Sequence, residues 1–274
     1  MEEVSVNGAR QSVIGADGVN IGLLTAGSGP PLLLVHGGVG QIERWGPIWC
    51  ELCEHWRVTA MDRRGRGSSG DGDDYSLDSE YGDVAAVASS LAEEAGRPID
   101  VFGHSFGATC TIGAAARSAP FRRIALYEPP GPETVSADWV ERVSAMVADG
   151  EAGAAMVSLL MEIIGLTSEE VDDLKSVPPD YDILSVLSAT LPREGRALLS
   201  VDLSALATAV THPVLLLLGE RSPLWAQTIT RNTADRIPGS QVVMLPDLGH
   251  EAIDAAPDLV FRELRLFFAL SGVG

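Results

Sequence analysis

The sequence predicts an α/β fold: a doubly wound, mostly parallel sheet with a block of helices inserted near its middle. Three observations lead there. Leu32 to Val35 and Val214 to Leu218 are unbroken apolar runs, the pattern of strands covered on both faces rather than one. Such runs alternate with stretches of helical apolar spacing, as βα units do. The alternation lapses between about Glu133 and Leu206, where no strand is evident, and resumes at Pro213.

Taken in order, residues 3–28 alternate polar and apolar, with turn residues at Asn7-Gly8 and Asp17-Gly18, and read as one or two antiparallel strands. Leu32 to Val35 runs into His36-Gly37-Gly38. Arg44 to Trp56 has helical spacing. Val58 to Asp62 is a short strand leading to Arg63-Arg64-Gly65-Arg66-Gly67-Ser68-Ser69-Gly70 and an acidic loop, Asp71 to Asp74. In so acidic a chain that arginine run reads as a polar loop held to nearby carboxylates, not as a nucleic-acid patch. Asp83 to Ala95 is an amphipathic helix with Asp83 near its start and Gly96 just past its end. Ile99 to Phe102 and Arg123 to Tyr127 are further strands. The inserted region offers helices at 137–149, 151–164, 168–175 and 183–190. After Pro213 to Gly219 come a helix over about Trp225 to Arg236, a last strand at Val242 to Leu245, and a closing helix at Asp258 to Leu270. The core domain is thus expected over 1–132 and 207–274, with a helical lid over 133–206.

Composition narrows the partners. The 274 residues carry a formal charge of −19, which repels nucleic acid and anionic membranes. No apolar run is long enough to span a bilayer. The acidic opening MEEVSV has no basic or apolar leader, and three cysteines form no framework of pairs. Both point to the cytoplasm. Cys50 and Cys53 form a C-x-x-C, but with no second pair and no His-x-x-x-His they read as two helix cysteines, and no metal is expected.

The most informative stretch is Ile99 to Gly107. A β-favouring run ends in Gly103-His104-Ser105-Phe106-Gly107, and an Ala-rich helical run follows. This is strand, sharp turn, helix, with serine at the apex of a G-x-S-x-G. Side chains at 103 and 107 would strike the neighbouring strand and helix, so glycine is required. A serine in an ordinary solvated turn is the plain alternative. Serine is a weak nucleophile without a base to take its proton. Of five histidines, His250 alone follows the last apolar strand in a Gly-preceded loop. In an open parallel sheet, strand C-termini share one edge where ligands bind, which would bring Ser105 and His250 together.

LLLVHGG, the D-x-R-G-x-G-x-S run beginning at Asp62, GHSFG, LLLLG and LPDLGH occur in an order and spacing that resembles the α/β-hydrolase superfamily over nearly the whole chain. The resemblance implies Ser105 as nucleophile, His250 as base, and an oxyanion hole from the backbone N–H groups of Phe106 and Gly38. Fixed amide dipoles of that kind are worth about 3 kcal/mol each in the transition state. The pattern departs at the acid. Where many members carry an aspartate after the strand following the lid, this chain reads Gly219-Glu220-Arg221-Ser222-Pro223, with Ser222 at the usual acid position. Glu128, ending the strand after the elbow helix, is the favoured acid, as in haloalkane dehalogenases and fungal zearalenone lactonases. Glu220 is the alternative.

The resemblance implies a cofactor-free serine hydrolase acting on an ester or lactone of a mostly apolar small molecule through an acyl-enzyme. Gly37, His104, Trp139, Met146, Met156 and Leu160 are expected to line its substrate site. Trp45, Trp49, Tyr127 and Trp225, near strand ends, favour an apolar substrate. A carbon–carbon bond hydrolase or a cofactor-free haloperoxidase or perhydrolase would use the same triad. A small-molecule receptor that keeps the fold without catalysis is the reading from outside enzymology. Epoxide hydrolases and haloalkane dehalogenases use a carboxylate nucleophile, which Ser105 excludes.

Overall fold

The computed structural model describes residues 6–176 and 180–269. The first residues of the predicted opening strands and Leu270, the predicted end of the last helix, lie outside them. Eight strands form one sheet: β1 (Ala9–Ile14), β2 (Asn20–Ala26), β3 (Pro31–Val35), β4 (Arg57–Met61), β5 (Ile99–His104), β6 (Phe121–Tyr127), β7 (Val214–Gly219) and β8 (Gln241–Leu245). Their spatial order is β1-β2-β4-β3-β5-β6-β7-β8. β1 and β2 pair antiparallel, as do β2 and β4; every other pair is parallel. Chain order reverses direction between β3 and β5. Adjacent loops there leave the sheet toward opposite faces and open the crevice that α/β folds use for ligands.

The apolar runs explain the layering. Alternate residues of a strand point to opposite faces. Leu33 and Val35 of β3 enter one core with Val101, Leu126 and Leu216. Leu32 and Leu34 enter the other with Phe102, Tyr127 and Leu217. The first core is covered by α2 (Leu77–Ala95), α3 (Phe106–Ala116), α9 (Leu203–Thr208) and α10 (Leu224–Arg236), the second by α1 (Gly46–His55), α11 (Ala252–Ala255) and α12 (Pro257–Ala269). Each fully buried leucine contributes roughly 1.5–3 kcal/mol.

Between β6 and β7 the chain forms α4 (Ala137–Ala148), α5 (Ala152–Ser158), a π-helical turn at Leu159–Ile164, α6 (Ser168–Lys175), α7 (Asp180–Leu187) and α8 (Leu191–Leu199) before α9. α4 packs on α8 and α5 on α7, whereas α9 packs on α3 and α10. α8 and α9 were not among the expected helices. Pro192 in the first turn of α8 and the Asp202 side chain capping Ala205 N–H at the start of α9 are the local features that announce them.

One predicted boundary is wrong. The second helix starts at Leu77, capped by Ser76, which accepts from Ser79 N–H. Asp83 is therefore in its middle, buried. Gly82 broke the apolar spacing. It is there because the helix passes Ala16 so closely that a Cβ would lie 2.8 Å from that residue's methyl.

Candidate active site

The elbow is built by steric necessity. A Cβ on Gly103 would come within 2.6 Å of Thr111 Oγ1 and 2.8 Å of Ala108 Cα, and one on Gly107 would overlap the backbone oxygens of Val35 and His36. Squeezed between them, Ser105 adopts φ 52°, ψ −125°, a region costly for any residue with a Cβ. Its N–H donates to Tyr127 O at 2.8 Å. The side chain is half-buried and makes no hydrogen bond among the described residues.

Six described non-glycine residues have positive φ, and four of them follow the C-terminal ends of parallel strands: Val39 after β3 (42°), Ser105 after β5, Glu128 after β6 (48°) and Asp247 after β8 (59°). For β-branched Val39 this is a marked outlier. Strain that persists in four strand-end loops on one edge of the sheet is held there by the packing around it.

Glu128, at the end of β6, is fully buried. His250 Nδ1–H donates to its Oε2 at 2.5 Å. Its Oε1 accepts from Gly219 N–H at 2.7 Å and from Ser222 Oγ–H at 2.5 Å. Glu220 instead accepts from Asp247 N–H at 3.0 Å on the exterior, so it is Glu128 that meets the imidazole. Ser222, at the position where the resemblance would put the acid, is a hydrogen-bond donor to Glu128. Committing Nδ1 to Glu128 fixes the tautomer and leaves Nε2 as the ring's acceptor. The His250 loop is held by Tyr127, whose hydroxyl donates to Gly249 O and accepts from Ala252 N–H, and by His104, whose Nε2 lies 3.3 Å from His250 O.

Phe106 follows the serine and Gly38 follows Gly37, and no hydrogen bond among the described residues uses the amide of Phe106 or Gly38. Phe106 is the first residue of α3, where backbone N–H groups are free and the helix dipole favours negative charge. The loop carrying Gly38 is braced by charge. His36 Nε2 accepts from Arg63 N–H at 3.0 Å, and Arg63 Nη1 donates to Gly37 O at 3.0 Å. The Arg63 guanidinium also lies 4.3 Å from the centre of the Phe106 ring. Burial, with Arg63 and Arg66 nearby, holds the His36 pKa well below the ordinary imidazole value, so it stays neutral.

The arginine run is held to carboxylates, and its three guanidinium groups are buried. Arg63, Arg64 and Arg66 are at most 1% exposed. Arg63 pairs with Glu80 of α2 and Glu194 of α8. Arg64 grips Asp83 through two nitrogens, and Arg66 pairs with Glu194. Burying several charges is tolerable only when each is matched. Glu80, Asp83 and Glu194 lie 14 or more residues from the run in sequence, and nothing local to it reveals them.

The residues expected to line the substrate site occupy several settings. Gly37 backs the elbow, where a Cβ would lie 2.9 Å from that of Ser105. His104 is buried, its ring 5.0 Å from that of His250. Burial first, and His250 and Arg44 with it, lowers its pKa well below 6.5. Trp139 and Met156 are buried, and Trp139 Nε1 donates to Ser158 Oγ. Met146 and Leu160 are half-buried. Trp45 and Trp49 belong to the core under α1, so they do not argue for an apolar ligand. Trp225 meets the site, its ring 5.5 Å from that of His250 and its Nε1 donating to Ile163 O in the π-helical turn.

Among the described residues no His/Cys/Asp/Glu group has metal-binding geometry, and no helix is long and apolar enough to cross a membrane. A family model described as alpha/beta hydrolase matches residues 32–263. The chain belongs to that family. A 2-(acetamidomethylene)succinate hydrolase from Mesorhizobium japonicum is 29% identical over 263 residues, 91% of this chain and 93% of that protein. An N-formylmaleamate deformylase from Pseudomonas putida is 35% identical over 130 residues, 46% of this chain and 44% of the other. Among solved structures, an α/β hydrolase from Sphaerobacter thermophilus superposes with TM-score 0.82 at 31% identity, covering 94% of this chain and all of that one. The enol-lactonase of Burkholderia xenovorans shares the fold at TM-score 0.79 and 21% identity, covering 95% of this chain and all of the other. This protein is accordingly a hydrolase of the α/β type.

Proposed function

We propose that this α/β hydrolase cleaves a carboxylic ester or lactone of a small molecule through a covalent acyl-enzyme. The observation that carries the proposal is the 2.5 Å bond from His250 Nδ1 to Glu128, on the same sheet edge as the strained serine. Glu128 orients the imidazole and stabilises its charged form. Nε2 takes the Ser105 proton as Oγ bonds to the carbonyl carbon. The Phe106 and Gly38 amides stabilise the resulting oxyanion. The carbon–oxygen bond to the leaving group then breaks, and the proton passes from Nε2 to the departing alkoxide. Water enters, gives one proton to Nε2 and its oxygen to the acyl carbon. The acid leaves and Ser105 regains its proton.

The same three residues serve a carbon–carbon bond hydrolase, and one relative is named as a 2-hydroxy-6-oxo-2,4-heptadienoate hydrolase. That substrate class requires polar groups beside the serine, whereas the charged Arg63, Arg66 and Glu194 are buried and paired with one another. A panel of esters and lactones of graded chain length, together with a vinylogous diketone acid, run beside Ser105→Ala, separates the two. Turnover of esters or lactones that disappears in Ser105→Ala supports the proposal. Turnover of the diketone alone supports the second reading.

A further inference from the structure

The ion-pair group behind Gly38 is incompletely satisfied in one place. Glu194 is 3% exposed. Its Oε1 takes both arginines, from Arg63 Nη2 at 2.6 Å and Arg66 Nη2 at 2.8 Å. Its Oε2 has no partner among the described residues, and neither do Arg66 Nε and Nη1. Oε2 lies 3.7 Å from the point a Gly38 side chain would occupy. Neutralising the arginines therefore accounts for one carboxylate oxygen and leaves the other beside a proposed oxyanion donor. Burial raises the Glu194 pKa, but Arg66 and Arg63 outweigh it and hold the carboxyl below its ordinary range. The free oxygen is thus a charged acceptor.

A buried acceptor without a donor is costly. It is worse here, because an unshielded carboxylate oxygen repels the negative charge that forms on the scissile carbonyl. A hydrogen-bond donor placed between them removes both penalties. We infer that Glu194 Oε2 is a specificity determinant that accepts an N–H or O–H of the substrate close to the scissile carbonyl, which selects N-acylated or hydroxylated acyl compounds over plain alkanoyl ones. The inference rests on the reading of Ser105 as nucleophile and Gly38 as oxyanion donor. It adds a substrate class to that reading. The inserted helix α8 supplies the group, so the selectivity belongs to the insertion and the chemistry to the sheet.

The test uses two chromogenic esters of the same shape, p-nitrophenyl N-acetylglycinate and p-nitrophenyl 4-oxopentanoate, in which a methylene replaces the N–H. Their kcat/KM values are each divided by the rate constant for reaction with hydroxide. The expected result is a corrected preference for the N–H ester of tenfold or more, smaller in Glu194→Gln and gone in Glu194→Ala. A wild-type ratio near one overturns the inference, as does a preference that survives in Glu194→Ala. The wild-type ratio and Glu194→Gln decide if Glu194→Ala does not fold. If the wild type hydrolyses neither ester, the ester reading of the site fails. The subsite is then judged from equilibrium binding of the two methyl esters to Ser105→Ala, with tenfold tighter binding of the N–H compound expected and equal binding contradicting it.

Discussion

Ser222 donates to the Glu128 oxygen that His250 leaves free. The two bonds on Oε1 pin the carboxylate, and that fixes the imidazole through Oε2. Ser222→Ala removes one hydrogen bond to a charged group, about 1.5–3 kcal/mol, so kcat/KM falls roughly 10- to 100-fold while Ser222→Thr, which keeps the hydroxyl, loses little. Steady-state kinetics of the two variants check this.

Glu128→Gln keeps the size of the side chain but removes its charge and lets the imidazole turn over. We expect kcat to drop about 10³- to 10⁴-fold, with a far-ultraviolet spectrum like that of the wild type. Glu220→Gln, at an exposed carboxylate that only caps Asp247 N–H, leaves kcat within about twofold.

Gly107 packs against the backbone of β3, so any Cβ there overlaps Val35 O and His36 O. Backbone cannot move aside as a flexible side chain can. Gly107→Ala costs about 3 kcal/mol or more, seen as a large drop in urea midpoint or as loss of soluble protein.

His36 and His104 are buried and neutral, each held well below the ordinary value of 6.5. The unfolded chain takes up protons at these positions as pH falls through about 6.5, and the folded chain does not. Their contribution to stability is therefore complete above that pH and is lost below it, at up to about 1.4 kcal/mol per pH unit for each group. Urea midpoints should fall between pH 7.5 and pH 5, and less steeply in His104→Gln. A midpoint constant across that range contradicts the account.

Arg63 links α2, α8, the Gly37 carbonyl and the Phe106 ring. Arg63→Met leaves Glu80 buried with a reduced set of donors. A loss of about 3–5 kcal/mol is expected, measured by chemical denaturation, and Arg63→Lys restores only part of it because lysine has no planar fork.

Much of this fold is legible in local sequence. The leucine runs of β3 and β7 are buried on both faces, and glycines at 103 and 107 mark a turn that admits no Cβ. Gly82 hid the true start of α2, since only contact with Ala16, 66 residues away, requires it. The meeting of Glu128 with His250 fits an expectation drawn from family resemblance, because two loops 122 residues apart carry no mutual pattern. The buried arginines were legible as charged residues but not as buried ones. Their partners come from α2 and α8, and α8 itself was not foreseen. Trp45 and Trp49 misled for the converse reason, since aromatic residues near a strand end face core or cleft according to which side the next helix takes.

The central claim is that Ser105 is a nucleophile made reactive by His250. It is tested most directly by intact-mass measurement of the protein during reaction with diisopropyl fluorophosphate, with the adduct located by peptide mapping. One adduct per chain, on Ser105, absent in Ser105→Ala and formed at least a hundredfold more slowly in His250→Ala, is the predicted result. No adduct on Ser105, or labelling at the same rate without the imidazole, would contradict it.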